Sequence, residues 1–139
     1  MKATDLMIGD WVNLNFDVDY KTGKSIYAPV QITGINKDGT IDVNCTFDKS
    51  ESMQDGWDLK LIEPIPLTRE ILEKNGFEKS QGEKFTWFIC NVAAFDIRIV
   101  SEKNNLYDIK IAEYPRPIKY VHELQHALKL CGIEKEIIL

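Results

Sequence analysis

Apolar residues recur at helical spacing over one extended stretch of the chain, Pro117 to Gly132. At 100° per residue, Tyr120, Val121, Leu124, Ala127, Leu128 and Cys131 fall within roughly 60° of Leu124 and make a continuous stripe. His122 and His126 lie about 160° from its centre, in the sector of Lys119 and Lys129. Prolines at 115 and 117 suit the approach to a first turn, and Gly132 suits the left-handed position after a last one. The pattern predicts a long helix whose stripe, Cys131 included, is buried and whose two imidazoles face water.

Elsewhere the period is two. Leu6 to Leu14 places a turn glycine, Gly9, ahead of an alternating run; Ala28 to Ile35 alternates likewise. Asn36-Lys37-Asp38-Gly39-Thr40 is a hairpin signal, because Asp-Gly readily supplies positive φ, and Ile41 to Cys45 is the returning strand. Trp57 to Ile62 closes the series. Two insertions interrupt it. Asp17 to Gly23 has the acidic spacing of a calcium loop, but its glycine is one position late and Ala28 stands where the bidentate glutamate belongs, so a hairpin tip is the better reading. Asp48 to Gly56 is polar and reads as a mobile loop. Five short strands in some sixty residues predict a small SH3-like β-barrel over residues 1–63.

Glu63-Pro64-Ile65-Pro66 marks a boundary. Thr68 then caps a short helix, Arg69 to Asn75, stopped by Gly76, with Ile71 and Leu72 inward and Phe77 packing after the turn. Three strands follow, with Phe85, Trp87 and Ile89, then Phe95, Ile97 and Ile99, then Tyr107, Ile109 and Ile111 on one side. Thr86, Asp96, Arg98, Asp108 and Lys110 make a charged outer face. The expected architecture is therefore α+β: the N-terminal barrel, then over residues 64–139 a helix, a three-stranded antiparallel sheet and a long covering helix. Glu134 to Leu139 forms a last strand or a tail.

Composition narrows the function. In 139 residues there are three cysteines, Cys45, Cys90 and Cys131, with no C-x-x-C pair, which points to reduced thiols rather than a disulfide framework or zinc knuckle. The N-terminus lacks the apolar run of a signal peptide and no stretch reaches membrane-span length, so a cytoplasmic protein with no membrane partner is expected. The charge of −5 is concentrated in residues 1–63, which hold six lysines, no arginine and eleven acids. Such a surface repels phosphate backbones, which argues against a nucleic-acid partner there. The more basic second half leaves a nucleic-acid-associated role as a third alternative.

The pattern that suggests chemistry is His122-Glu123-x-x-His126. Histidines at i and i+4 can chelate zinc, and the intervening glutamate can act as base toward a metal-bound water, as in zincin peptidases. A minimal zinc hydrolase with His122 and His126 as ligands and Glu123 as base is thus one reading. Against it stand the missing third histidine, Lys129 and Gly132 where the metzincin pattern has glycine and histidine, and two flanking lysines; Glu134, Glu136 or a glutamate from another part of the fold would have to complete the site. The plainer reading is a solvated helix face with no metal, no cofactor and no catalytic residue. Trp11, Phe16, Tyr20, Tyr27, Phe47 and Trp57 could line a peptide groove or aromatic cage, or simply form core. Cys131, on the apolar stripe, reads as structural rather than as a nucleophile.

Three blocks, Leu6-x-Ile8-Gly9-Asp10-Trp11-Val12, then Leu61 to Phe77, then Tyr120-Val121-His122-Glu123-Leu124-Gln125-His126, resemble a family of short, functionally uncharacterised proteins of Bacteroides-type gut bacteria, their phages and mobile elements. Members of that family often carry glutamine and asparagine at the positions of Glu123 and His126, which implies a helix without a metal site. The resemblance implies no activity, cofactor or catalytic residue. Together these observations favour a non-enzymatic accessory protein that binds another protein.

Overall fold

The computed structural model describes residues 1–45, 54–83, 85–92, 95–101, 106–111 and 114–139, without the side chains of 95, 96, 111 and 114–116. Phe47 and most of the polar stretch from Asp48 lie outside them. The described residues form β1 (Trp11–Val18), β2 (Ser25–Ile35), β3 (Thr40–Asn44), β4 (Trp57–Asp58), β5 (Ile62–Pro64), α1 (Arg69–Lys74), β6 (Glu78–Gln81), β7 (Thr86–Val92), β8 (Phe95–Ser101), β9 (Tyr107–Ile111), β10 (Tyr114–Ile118) and α2 (Val121–Leu130). The chain divides into two units, Met1–Ile65 and Pro66–Leu139. Among the described residues no helix is long and apolar enough to cross a membrane.

In the first unit, alternation along each strand sets the core. Val12 and Leu14 of β1, Val30 and Ile32 of β2, and Ile41 and Val43 of β3 turn to one side and are buried together with Leu6, Cys45 and Ile62. Phe16 and Trp57 pack partly buried against this cluster. All pairings are antiparallel, in the order β4-β3-β2-β1-β5. The sheet curls into a half-barrel, and the expected closed barrel is not formed. Its two flanking strands are only two and three residues long, because Leu59–Leu61 turns into 3-10 conformation, with Asp58 accepting from the Lys60 N–H at 2.9 Å. So short a pair of edges gives each strand one partner and no ladder to close the ring.

The turns follow local chemistry. Asp10, buried, accepts from the Met7 N–H at 2.7 Å and fixes the turn before β1. At the β1–β2 tip the N–H groups of Thr22 and Gly23 donate to the Asp19 carbonyl, which makes the segment a hairpin tip. Gly34 is required by close approach: a Cβ there would meet the Asp42 carboxylate at 2.6 Å, at the bulge where β2 shifts register against β3.

The second sheet has five strands, in the order β10-β9-β8-β7-β6, rather than the three expected. Both additions are edges without an alternating apolar pattern. The four residues of β6 are all exposed, and β10 contains Pro115 and Pro117. Prolines two apart keep their donor-less nitrogens on the outer side of an edge strand, where no ladder bond is lost. These prolines therefore belong to a strand, and α2 begins only at Val121.

The inward rows correct a second expectation. Ile97 and Ile99 of β8 and Tyr107 and Ile109 of β9 are buried as expected, but on β7 the buried positions are Phe88 and Cys90. Phe88 pairs with Ile99 and Cys90 with Ile97, so Phe85, Trp87 and Ile89 are turned to the opposite side, with Phe85 exposed. Five consecutive aromatic or branched residues from 85 to 89 give no polar alternation to set the phase, and a one-residue shift exchanges the faces. The outer face thus carries Trp87, Ile89 and Val100 among Arg98, Asp108 and Lys110.

Both helices end alike. The N–H of Ile133 donates to the Leu128 carbonyl and that of Gly132 to Lys129; Phe77 and Gly76 bond Leu72 and Glu73 in the same way, with both glycines at positive φ. Thr68 caps α1 by accepting from the Ile71 N–H at 3.3 Å. The chain end is a docked tail. Ile133 and Ile137 are buried, and the Asn75 amide both accepts from the Ile138 N–H and donates to its carbonyl, each at 2.7 Å.

Candidate functional site

Where α2 follows β10, a shallow cleft of about 340 Å³ is lined by Pro117, Ile118, Glu123, His126 and Ala127. It contains two of the three residues of the candidate metal motif, and its construction explains what each can do.

The first turn of a helix leaves backbone N–H groups without intrahelical partners. Glu123, at the third helical position, turns back over them: its Oε2 accepts from the Lys119 N–H at 2.6 Å and the Tyr120 N–H at 3.0 Å. This is the glutamate half of a capping box. A carboxylate oxygen holding two backbone donors is poorly placed to take a proton from water.

His122 does not face solvent as the helical wheel suggested. It is 5% exposed, against the half-buried state of His126. Its ring stacks on Tyr120 with centroids 5.8 Å apart and planes 10° from parallel, and meets the His126 ring edge-on at 5.6 Å. Lys119 places its ammonium 5.4 Å above the Tyr120 ring. The wheel counts only direction on the helix, whereas the Tyr120 ring, just ahead of the first turn, stacks on the face that carries His122. His122 sits in the first turn, buried with its ring between those of Tyr120 and His126. Val121, Leu124, Ala127 and Leu128 are buried as the stripe requires, whereas Cys131, at the turn into Gly132, is exposed and not the buried thiol expected.

Among the described residues no three His, Cys, Asp or Glu side chains come together in a way that could hold a metal. Glu134 and Glu136, the acids close behind the helix, lie beyond the Gly132 turn on the docked tail, both exposed.

The aromatic candidates separate into two groups. Phe16 and Trp57 belong to the core of the half-barrel. Tyr20 and Tyr27 stand outside it, at 95% and 42% exposure, with Val18 and Ile26 also exposed on the same β1–β2 hairpin. The residue that composition and motif reading missed is Glu63. The phenol of Tyr27, on β2, donates to Glu63 Oε1, on β5, at 3.0 Å. The strand between them is β1, where Asn13 is paired with both Pro29 and Glu63 and Asn15 with Tyr27. The signal that could have found this pair is the register: a Glu63-Pro64 exit pairing with β1 puts Glu63 on the face opposite Leu14.

Comparison with protein-family models, with curated proteins and with solved structures gives no match.

Proposed function

We propose that the protein is a non-enzymatic, cytoplasmic accessory protein that acts by binding another protein, through the β1–β2 hairpin of its first unit. The observation that carries this reading is the exposure of Val18, Tyr20, Ile26 and Tyr27 along one hairpin whose outer half extends past the ends of β3 and β5. Single exposed apolar residues are ordinary, but this projecting arm carries Val18 and Tyr27 on one face, Ile26 on the other and Tyr20, with nearly its whole surface in water, at the tip, which is apolar surface of the kind that protein partners cover. The commitment of Glu123 to its own helix start supports the non-enzymatic half of the reading. The resemblance to short proteins of Bacteroides-type bacteria, their phages and mobile elements supports an accessory role in such a setting.

A photo-crosslinking residue at position 20, compared with one at position 37 on the neighbouring hairpin tip, tests the reading in cells. A discrete protein adduct from position 20 that is absent from position 37 is expected. Equal labelling from the two positions, or none from position 20, contradicts it.

A further inference from the structure

The outer face of the first sheet carries more than exposed rings. Along β1, Trp11, Asn13 and Asn15 point to this side, opposite the buried Val12 and Leu14. Tyr27 and Pro29 of β2 and Glu63 of β5 flank them. Since Tyr27 reaches Glu63 by a 3.0 Å hydrogen bond, its ring lies across β1 and ends beside a carboxylate that is itself exposed. The result is a strip with three chemical parts: flat apolar surfaces in Trp11, Tyr27 and Pro29, side-chain amides in Asn13 and Asn15, and an acid at one end.

We infer that this strip docks an extended, cationic segment of the partner protein, with a lysine or arginine set over the Tyr27 ring against Glu63. The inference rests on the protein-binding reading above and names the chemistry of the partner. A ring face beside a carboxylate favours a cation twice, through the quadrupole of the ring and through the charge. Side-chain amides can pair with both the N–H and the C=O of an extended backbone, which a helix would not present. Charge points the same way: residues 1–63 hold five more acids than lysines, and Glu63 is the charged group on the strip itself, while on the hairpin tip Asp17 and Asp19 are balanced by Lys21 and Lys24. A nucleic-acid strand would be repelled by the same field.

The test is an NMR titration of the full chain with a capped octapeptide of alternating lysine and proline, beside a control in which glutamate replaces lysine. The expected result is shifts confined to the Trp11 indole N–H, the Asn13 and Asn15 amides and the Tyr27 region, with no response to the acidic peptide. Tyr27→Ala should weaken binding about tenfold and Glu63→Gln several-fold, roughly the worth of a cation–π contact and an exposed charge pair. Tyr27→Phe, which keeps the ring and loses only the phenol bond, should bind within a factor of about three and shows that the fold is intact. The inference is overturned by absence of shifts at millimolar peptide, by equal binding of the acidic peptide or of a single-stranded oligonucleotide, or by shifts that survive Tyr27→Ala. If the peptide fails while position 20 still yields its crosslinked partner, the cationic segment is wrong and the protein-binding reading stands. If both fail, both go.

Discussion

Glu123 and Glu63 are both carboxylates set beside a tyrosine, and the chain uses them in opposite ways. Glu123 folds back on the start of α2 and holds two backbone N–H groups; Glu63 stands in solvent and takes one hydrogen bond, from a phenol two strands away. The backbone around them makes the difference. A helix start presents donors with no partners of their own, and a glutamate three residues in is drawn onto them. Beside Glu63 the β1 ladder is already paired on both sides, with β2 and with β5, so the carboxylate is left to bond outward. A motif letter therefore states what a side chain can do, and the unsatisfied donors around it decide whether it is available.

The largest test of this contrast concerns His122, which shares the inward fate of Glu123. Replacing a ring that is 5% exposed and stacked on Tyr120 leaves a cavity, so His122→Ala should cost about 2–3 kcal/mol in chemical unfolding. The half-buried His126 should cost less than about 1 kcal/mol when truncated in the same way. Equal losses at the two positions would place both imidazoles on one open face and undo the account of the helix start.

The smallest expected effect belongs to solvent carboxylates that serve only their own turn. The hydroxyl and N–H of Thr40 hold the Asp38 carboxyl below its ordinary value, and the Lys21 N–H with the Thr22 hydroxyl does the same for Asp19. A pKa lowered by folding gives stability that is present above the unfolded value and is lost as pH falls through the folded one. Wild type should therefore be slightly more stable than Asp38→Asn at neutral pH, and thermal unfolding at about pH 3 should show that margin shrinking. A margin that grows on acidification would contradict the assignment.

Sequence reading recovered what strict alternation and turn chemistry encode. Val12, Leu14, Val30, Ile32, Ile41 and Val43 fall inward on segments read from their alternation or as the returning strand, and Thr68, Gly76 and Gly132 mark helix ends as expected. It failed where the physical signal is degenerate. Residues 85 to 89 are apolar or β-branched on both faces, so only pairing with β8 distinguishes Phe88 as inward. Strand β6, Glu-Lys-Ser-Gln, has no apolar face at all because it lies at an edge, and the prolines of β10 imitate a helix approach while serving another edge. The open half-barrel follows from the brevity of β4 and β5, which composition does not announce. At the candidate site, the helical wheel put His122 toward water, whereas its ring is buried and stacked on Tyr120, the residue just before the helix. Glu63 was invisible because its neighbours come from two other strands.

Thermal and chemical unfolding of Glu123→Ala, Glu123→Gln and Glu63→Ala measures the central contrast directly. If Glu123 is a cap, alanine there costs about 1 kcal/mol, glutamine restores most of it because its amide oxygen accepts the same backbone donors, and Glu63→Ala changes stability by less than about 0.5 kcal/mol. If Glu123→Ala leaves stability unchanged, or glutamine is as damaging as alanine, the carboxylate is not spent on the helix start and the non-catalytic account of this helix is wrong.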